Sequence, residues 1–266
     1  RVSTIGEQKK YNYALKARDR EEFLRLVTAD QTEAPAYFAH DADMNKRERP
    51  TLDAGLTAAL KGLSPAEVES LAETGAQILD VRDPSDYSGA HWRGALNVGL
   101  DGKFATWAGS VLDRTRPIVV IAEPGREREA VTRLARVGFD RVSGVLAGGM
   151  ASLVARPDLV EETPRTTARA LFERRDSTAA PVIVDVRTDA ERAAGCVAGS
   201  LHLPLSQWPK RMAEVPAGRP VAVYCAGGYR SSIAASLLRA AGRPDVTDVI
   251  GGFAAWLEEG LDAEKP

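Results

Sequence analysis

The chain repeats itself once, and that constrains its fold more than any single motif does. Asp80-Val81-Arg82 returns as Asp185-Val186-Arg187 and Gly94-Ala95-Leu96-Asn97 as Gly199-Ser200-Leu201-His202, both 105 residues later, and Gly148-Gly149 returns as Gly251-Gly252 after 103. Two copies of about a hundred residues are a domain duplication, since solenoid repeats run only ~20–50 residues. Whatever fold the first copy adopts, the second shares.

Local signals say what that fold is. Ser64-Pro65-Ala66-Glu67 joins a capping box to a proline at the first helical position, which predicts a helix through about Glu73, closed by Gly75. Gln77–Val81, Pro117–Ile121 and Val142–Leu146 are short apolar runs bounded by turn residues, as buried strands are, and Glu127–Val137 reads as a helix stopped at Gly138. Strands alternating with helices predict an α/β fold, in each copy a mainly parallel sheet flanked by helices. The polar, proline-bearing stretch Arg156–Thr163 marks the crossing, so the domains are expected at 51–157 and 158–266.

Residues 1–50 follow a different pattern. Arg1–Leu26 is rich in Lys, Arg and Glu and reads as a helical arm without a core of its own. Tyr13, Ala17 and Arg20 lie along one side, and Phe23, Leu24 and Val27 form an apolar patch near its end. Ala34–Phe38 reads as an irregular apolar connector and Lys46–Pro50 as a charged stop. His40 stands near Asp41 and Asp43, but a single histidine without partners predicts a solvated or capping residue and no metal site.

A net charge of −2 offers no general attraction to nucleic acid or to an anionic membrane. No apolar run is long enough to span a bilayer, and the start carries no signal-peptide pattern. Two cysteines, Cys196 and Cys225, give no disulfide framework and fit a reducing, cytoplasmic setting, where a cysteine is more often catalytic. The chain opens at Arg1 without a methionine, so a preceding segment is expected.

The chemistry concentrates at Val221–Ala235. An apolar strand ends at Cys225, a Gly227-Gly228 turn follows, and Arg230-Ser231-Ser232 leads into a helix rich in alanine and leucine. That order places backbone N–H groups and a helix N-terminus around the thiol, where negative charge is favoured. A helix N-terminus is worth ~0.3–1 kcal/mol, up to ~2 when partly buried, which lowers a thiol pKa by about one unit; amide hydrogen bonds must supply any more. Gly227 and Gly228 let the backbone approach an anion closely, and Arg230 adds a fork of donors for an anionic substrate. The first copy serves as an internal control. Aligning Val119–Ile121 with Ala222–Tyr224 puts Ala122 opposite Cys225, Gly125 opposite Gly228 and Glu127 opposite Arg230. It has no nucleophile and reads as a scaffold; the directions of Arg126 and Arg128 stay open.

Across residues 51–266, the paired Asp-Val-Arg strand ends, the glycine-bounded segments after them and Cys225–Arg230 resemble the rhodanese family of sulfurtransferases. The resemblance implies two tandem rhodanese-like domains, the first inactive. Cys225 would be the nucleophile, Ala226, Gly227, Gly228, Tyr229 and Arg230 the anion-cradling loop, and Ser231 a substrate neighbour at the helix start. Sulfane sulfur would pass from thiosulfate or a persulfide or polysulfide to a thiol or cyanide through a Cys225 persulfide, with no metal or cofactor. The loop from Cys225 to Arg230 has six residues, which suits sulfur; related phosphatases and arsenate reductases use one more. A non-catalytic docking or regulatory module is the alternative from another class. His202 and Trp208 lie on segments able to approach the pocket, though a structural role is the commoner one. Asp185 and Arg187 read as structural supports, and Cys196, where rhodaneses often have histidine, as a buried thiol. Ser3–Gln8, Asn12–Leu15 and the stretch to Leu52 resemble the tail of a metallo-β-lactamase-fold domain, as in persulfide dioxygenases fused to rhodanese domains, which implies an upstream domain of that kind.

Overall fold

The computed structural model describes residues 3–11, 13–28, 46 and 52–265. The His40, Asp41 and Asp43 grouping and the Ala34–Phe38 connector lie outside the described residues. Among the described residues the arm forms α1 (Ile5–Tyr11) and α2 (Arg20–Thr28), with a 3-10 turn over Tyr13–Lys16. The arm is helical as expected, and Asp19 caps its second helix, its Oδ1 accepting the Glu22 amide at 2.7 Å. Phe23 and Leu24 are exposed.

The first copy contributes β1 (Gly62–Leu63), β2 (Gln77–Asp80), β3 (His91–Trp92), β4 (Leu96–Asn97), β5 (Ile118–Ile121) and β6 (Val142–Leu146), with β7 (Val160–Glu161) after it. The second contributes β8 (Arg165–Thr166), β9 (Val182–Asp185), β10 (Cys196–Val197), β11 (Leu201–His202), β12 (Val221–Tyr224), β13 (Val246–Val249) and β14 (Ala263–Glu264). The two main sheets run β1-β6-β5-β2-β4 and β8-β13-β12-β9-β11, parallel throughout. One order maps onto the other strand for strand, so the duplication read from the sequence is a duplicated topology. The central strands β2, β5 and β12 are buried along their whole length, as parallel strands covered on both faces must be.

The covering helices are α3 (Leu52–Ala59), α4 (Pro65–Glu73), α5 (Pro84–Gly89), α6 (Phe104–Val111) and α7 (Glu127–Arg136) in the first copy. In the second they are α8 (Ala168–Arg174), α9 (Asp189–Ala193), α10 (Trp208–Arg211), α11 (Tyr229–Ala240) and α12 (Gly252–Glu258). At α4 the capping box forms both ways: Ser64 Oγ accepts the Glu67 amide, and Glu67 accepts the Ser64 amide at 2.8 Å. No helix among the described residues is long and apolar enough to cross a membrane.

The repeated Asp-Val-Arg signature is a strand-end brace. Arg82 donates to Asp80 at 2.6 Å and to the Ala90 carbonyl at 2.7 Å; Arg187 does the same with Asp185 at 2.8 Å and the Gly195 carbonyl at 2.7 Å. These charges are buried, and each is paired and further hydrogen-bonded, the condition on which buried charge is tolerated. Both arginines therefore tie a strand end to the next turn, as the structural reading of Asp185 and Arg187 requires.

The two domains share one buried cluster, in which Val98, Leu100 and Phe104 of the first pack with Leu203, Trp208 and Ile233 of the second. Polar contacts fix the register across it. Asn97 donates its amide to Ser236 Oγ at 3.0 Å and accepts the Ser232 hydroxyl at 2.7 Å, and the Tyr229 hydroxyl donates to the Gly99 carbonyl at 2.7 Å. The crossing segment leans on the first domain. β7 pairs antiparallel with β3, and the Thr163 amide reaches the Ser88 carbonyl at 2.9 Å, so residues 158–163 pack on the first domain and the second sheet opens at β8. The same segment also meets the second domain, where Arg239 donates to Glu161 at 3.0 Å.

Candidate active site

Cys225 follows directly on β12 and is buried. The Gly228 amide donates to its sulfur at 3.1 Å, and the Ser231 hydroxyl faces it at 3.6 Å. Gly228 sits at φ +107°, a left-handed conformation that turns its N–H back toward the sulfur before α11 begins at Tyr229. The loop is gripped from behind by α12, whose Phe253 and Ala254 amides donate to the carbonyls of Cys225 at 2.7 Å and Ala226 at 3.0 Å. A Cβ on Gly252 would lie 2.3 Å from the Cys225 carbonyl oxygen, so this close approach requires glycine. The first copy is built alike, with Gly149 against the Ala122 carbonyl. The Gly-Gly repeat therefore belongs to the helix that clamps each loop.

Arg230 does not stand open to solvent as a free fork. Both of its terminal nitrogens donate to Glu191, at 2.7 and 2.6 Å, while the guanidinium also faces the Cys225 sulfur. Glu191 in turn accepts the Thr188 amide at 3.0 Å and hydroxyl at 2.9 Å. Led by the Arg230 bond, these donors hold its carboxyl down at about 2. Glu191 was not anticipated from the sequence, although Thr188-x-x-Glu191 is a capping box in plain view. Beneath the sulfur, Ser231 also faces Asp248, which is buried, pairs with Arg165 at 3.2 Å and is pushed up to about 6 by burial. Neither Asp248 nor Arg165 has a local motif.

Cys225, Ala226, Gly227, Tyr229 and Arg230 line a cavity of about 550 Å³ together with Thr188 and Glu191, and its far wall is Gly102, Lys103 and Trp107 of the first domain. Gly227, Gly228 and Tyr229 also line a second cavity of about 330 Å³ between the domains. The Tyr229 side chain is committed to the domain interface: a Cβ on Gly102 would stand 2.3 Å from its ring. Trp208 is buried with its Nε1 donating to the Leu203 carbonyl at 2.7 Å, and His202 is held by the Arg187 carbonyl at 3.0 Å. Both therefore play the structural part. Cys196 is buried between β10 and β14, and burial pushes its thiol up. Both cysteines are free.

In the first copy Ala122 takes the place of the nucleophile, and the Glu127 carboxylate accepts the Gly125 amide at 2.8 Å in an exposed bond. Arg126 points elsewhere, to Asp101 and Glu129, each at 2.9 Å. The glycine amide that meets a sulfur in one copy meets the protein's own carboxylate in the other.

A parallel α/β domain in duplicate, with a buried cysteine between a strand end and a helix start in the second copy, defines the class of fold. The chain belongs to the rhodanese family: residues 64–156 and 167–259 each match the model of the rhodanese-like domain. It is 37% identical over 99 residues to a protein named sulfurtransferase from Allochromatium vinosum, covering 37% of this chain and 92% of that one. It is 36% identical over 74 residues to the uncharacterized protein YqhL of Bacillus subtilis, covering 28% of this chain and 59% of that one. A solved thiosulfate sulfurtransferase from Pseudomonas aeruginosa superposes with a TM-score of 0.35 at 19% identity, over 80% of this chain and 42% of its own.

Proposed function

We propose that the chain is a sulfurtransferase that carries sulfane sulfur on Cys225. The observation that supports this most is the Gly228 amide 3.1 Å from Sγ, at the mouth of a cavity that the loop itself lines. The Cys225 thiolate attacks the outer sulfur of thiosulfate; the S–S bond to the sulfonate sulfur breaks, sulfite leaves with the electron pair, and a Cys225 persulfide anion remains. An acceptor thiolate or cyanide then attacks the outer sulfur and returns Cys225 as thiolate. Charge and atoms balance in both steps, and no redox partner is needed. The Gly228 amide, the Ser231 hydroxyl and the start of α11 stabilise the sulfur anion before and after transfer. A phosphatase or arsenate reductase reading is disfavoured by the six-residue loop.

Incubation with thiosulfate should add one sulfur to the intact mass of the protein. Cyanide should remove it, and Cys225→Ser should never acquire it. A wild-type protein that gains no sulfur, and whose Cys225 alkylates no faster than free cysteine, refutes the reading and favours a docking module. We further propose that the chain works in the cytoplasm beside an upstream metallo-β-lactamase-fold domain, a reading supported by the arm residues Ser3–Gln8 and testable by sequencing the region upstream of Arg1.

A further inference from the structure

We propose that His91 is a proton-operated release on the contact between the two domains: neutral, it leaves the Glu161 carboxylate to Arg239 of the second domain, and protonated, it competes for that carboxylate. The inference concerns the domain junction and stands whatever chemistry Cys225 performs. His91 is fully buried on β3 beside β7 of the crossing segment, and the Tyr87 ring of α5 stacks on it at 3.8 Å. Its Nδ1 lies 2.7 Å from the Tyr87 carbonyl, which can only accept, so Nδ1 carries a proton in both charge states. The titrating atom is therefore Nε2. It stands 3.4 Å from Glu161 Oε1 and has no hydrogen-bond partner among the described residues. A neutral imidazole thus sets an acceptor beside a carboxylate, whereas an imidazolium sets an N–H there.

Glu161 is the shared part. Its Oε1 accepts the Gly94 amide at 2.8 Å, and its Oε2 accepts Arg239 Nη2 of α11 at 3.0 Å. That ion pair joins the domains, and its arginine is only 10% exposed, so salt and water screen it little. Two cations on one carboxylate compete. By linkage, the factor by which Arg239 lowers the proton affinity of His91 is the factor by which protonation loosens the hold on Arg239. Burial holds the His91 imidazole below its ordinary range and Arg239 acts in the same direction, while the Tyr87 carbonyl, Glu161 and Asp80 oppose them. Asp80, at the end of β2, is already paired with Arg82 at 2.6 Å. A histidine with a depressed folded pKa stabilises above its unfolded value near 6.5 and loses that contribution as pH falls toward the folded one. The contact is therefore full at neutral pH and loosens in mild acid.

The second copy supplies a control. Cys196 stands on β10 where His91 stands on β3, and Glu264 of β14 accepts the Gly199 amide at 3.2 Å as Glu161 accepts that of Gly94. The Cys196 sulfur lies 3.7 Å from Glu264 and burial pushes its thiol up, so it keeps its proton. Of the two pairs, the one that can charge in mild acid is the one whose glutamate holds the other domain.

The chain has three histidines, so NMR can follow each imidazole, and His91→Gln assigns the signal. In wild type His91 should titrate below 6.5. Arg239→Gln should raise that midpoint by about one unit, Glu161→Gln should lower it, and Arg239→Lys should stay near wild type. One unit is a ~10-fold coupling. Hydrogen exchange in Tyr229–Ala240, corrected for its intrinsic pH dependence, should therefore speed up by as much as ~10-fold from pH 7 to pH 5 in wild type, and less in His91→Gln. Asp248 titrates in the same window with the opposite sign, so the readings are taken at His91 and α11, with His91→Gln as reference, and not from global unfolding. A His91 midpoint that Arg239→Gln leaves unmoved, an imidazole that stays neutral down to pH 5, or exchange equally dependent on pH in wild type and His91→Gln overturns the inference.

Discussion

Glu191→Gln tests the loop electrostatics directly, because it removes one charge and keeps an acceptor for the Thr188 cap. In the wild-type fold the Glu191 carboxyl is held from 4.5 down to about 2, first by Arg230 and then by Thr188. At about 1.4 kcal/mol per pH unit the gross linkage is ~3.4 kcal/mol. Glu191 is 34% exposed, so water screens the pair, and a net ~1–2 kcal/mol is the expected contribution at neutral pH. A carboxyl with a depressed folded pKa stabilises above its unfolded value and loses that contribution as pH falls through the folded one. The stability difference between wild type and Glu191→Gln should therefore be constant above about pH 5.5, more than half gone by pH 3 and absent near 2. Urea unfolding at pH 7, 5, 4 and 3 measures it. The same variant frees Arg230 for an incoming anion, so the KM for thiosulfate should fall by about 3- to 10-fold. A stability difference independent of pH, or a raised KM with lowered kcat, would refute the view that Glu191 is an internal competitor for Arg230.

Two other substitutions probe the frame around the site. Gly102→Ala drives a methyl into the Tyr229 ring and should cost ~1–3 kcal/mol, lowering Tm by roughly 2–10 °C in a calorimetric scan; an unchanged Tm would mean that Tyr229 can leave the interface freely. Asp248 is pushed up to about 6 by burial, so the wild-type protein loses stability as pH rises from about 4 through 6, which asparagine cannot do. Asp248→Asn should therefore gain on wild type in urea unfolding between pH 4 and pH 7, and a difference flat over that range would contradict the raised pKa.

What could be read from the sequence was what neighbouring residues decide. The α4 capping box, the buried β2 and β5 runs and the Cys225-to-helix step each depend on interactions within a few residues, and the repeat then carried the reading from one domain to the other. The interactions that escaped are tertiary. Arg230 meets Glu191 across 39 residues and Tyr229 meets Gly99 across 130, and neither pair leaves a period or spacing in the chain. The arm is helical as its composition and pattern imply, and the start of its second helix is local too, with Asp19 accepting the Glu22 amide three residues on.

The duplicated domain solves one electrostatic problem twice. A strand end, a left-handed glycine and a helix N-terminus create a place where negative charge is stabilised, and both copies keep it, with Gly125 at φ +91° and Gly228 at φ +107°. In the second copy the glycine amide meets the Cys225 sulfur at 3.1 Å. In the first, Glu127 is covalently part of the chain and accepts the Gly125 amide at 2.8 Å, so that amide is satisfied without any ligand. A domain whose own amide is satisfied in this way is free to be used from its other surfaces. Its segment from Asn97 to Trp107 hydrogen-bonds to α11, packs Gly102 under Tyr229 and walls the Cys225 cavity. The first copy, without a nucleophile of its own, is thus still part of the candidate site, because the cavity over Cys225 is incomplete without Gly102, Lys103 and Trp107.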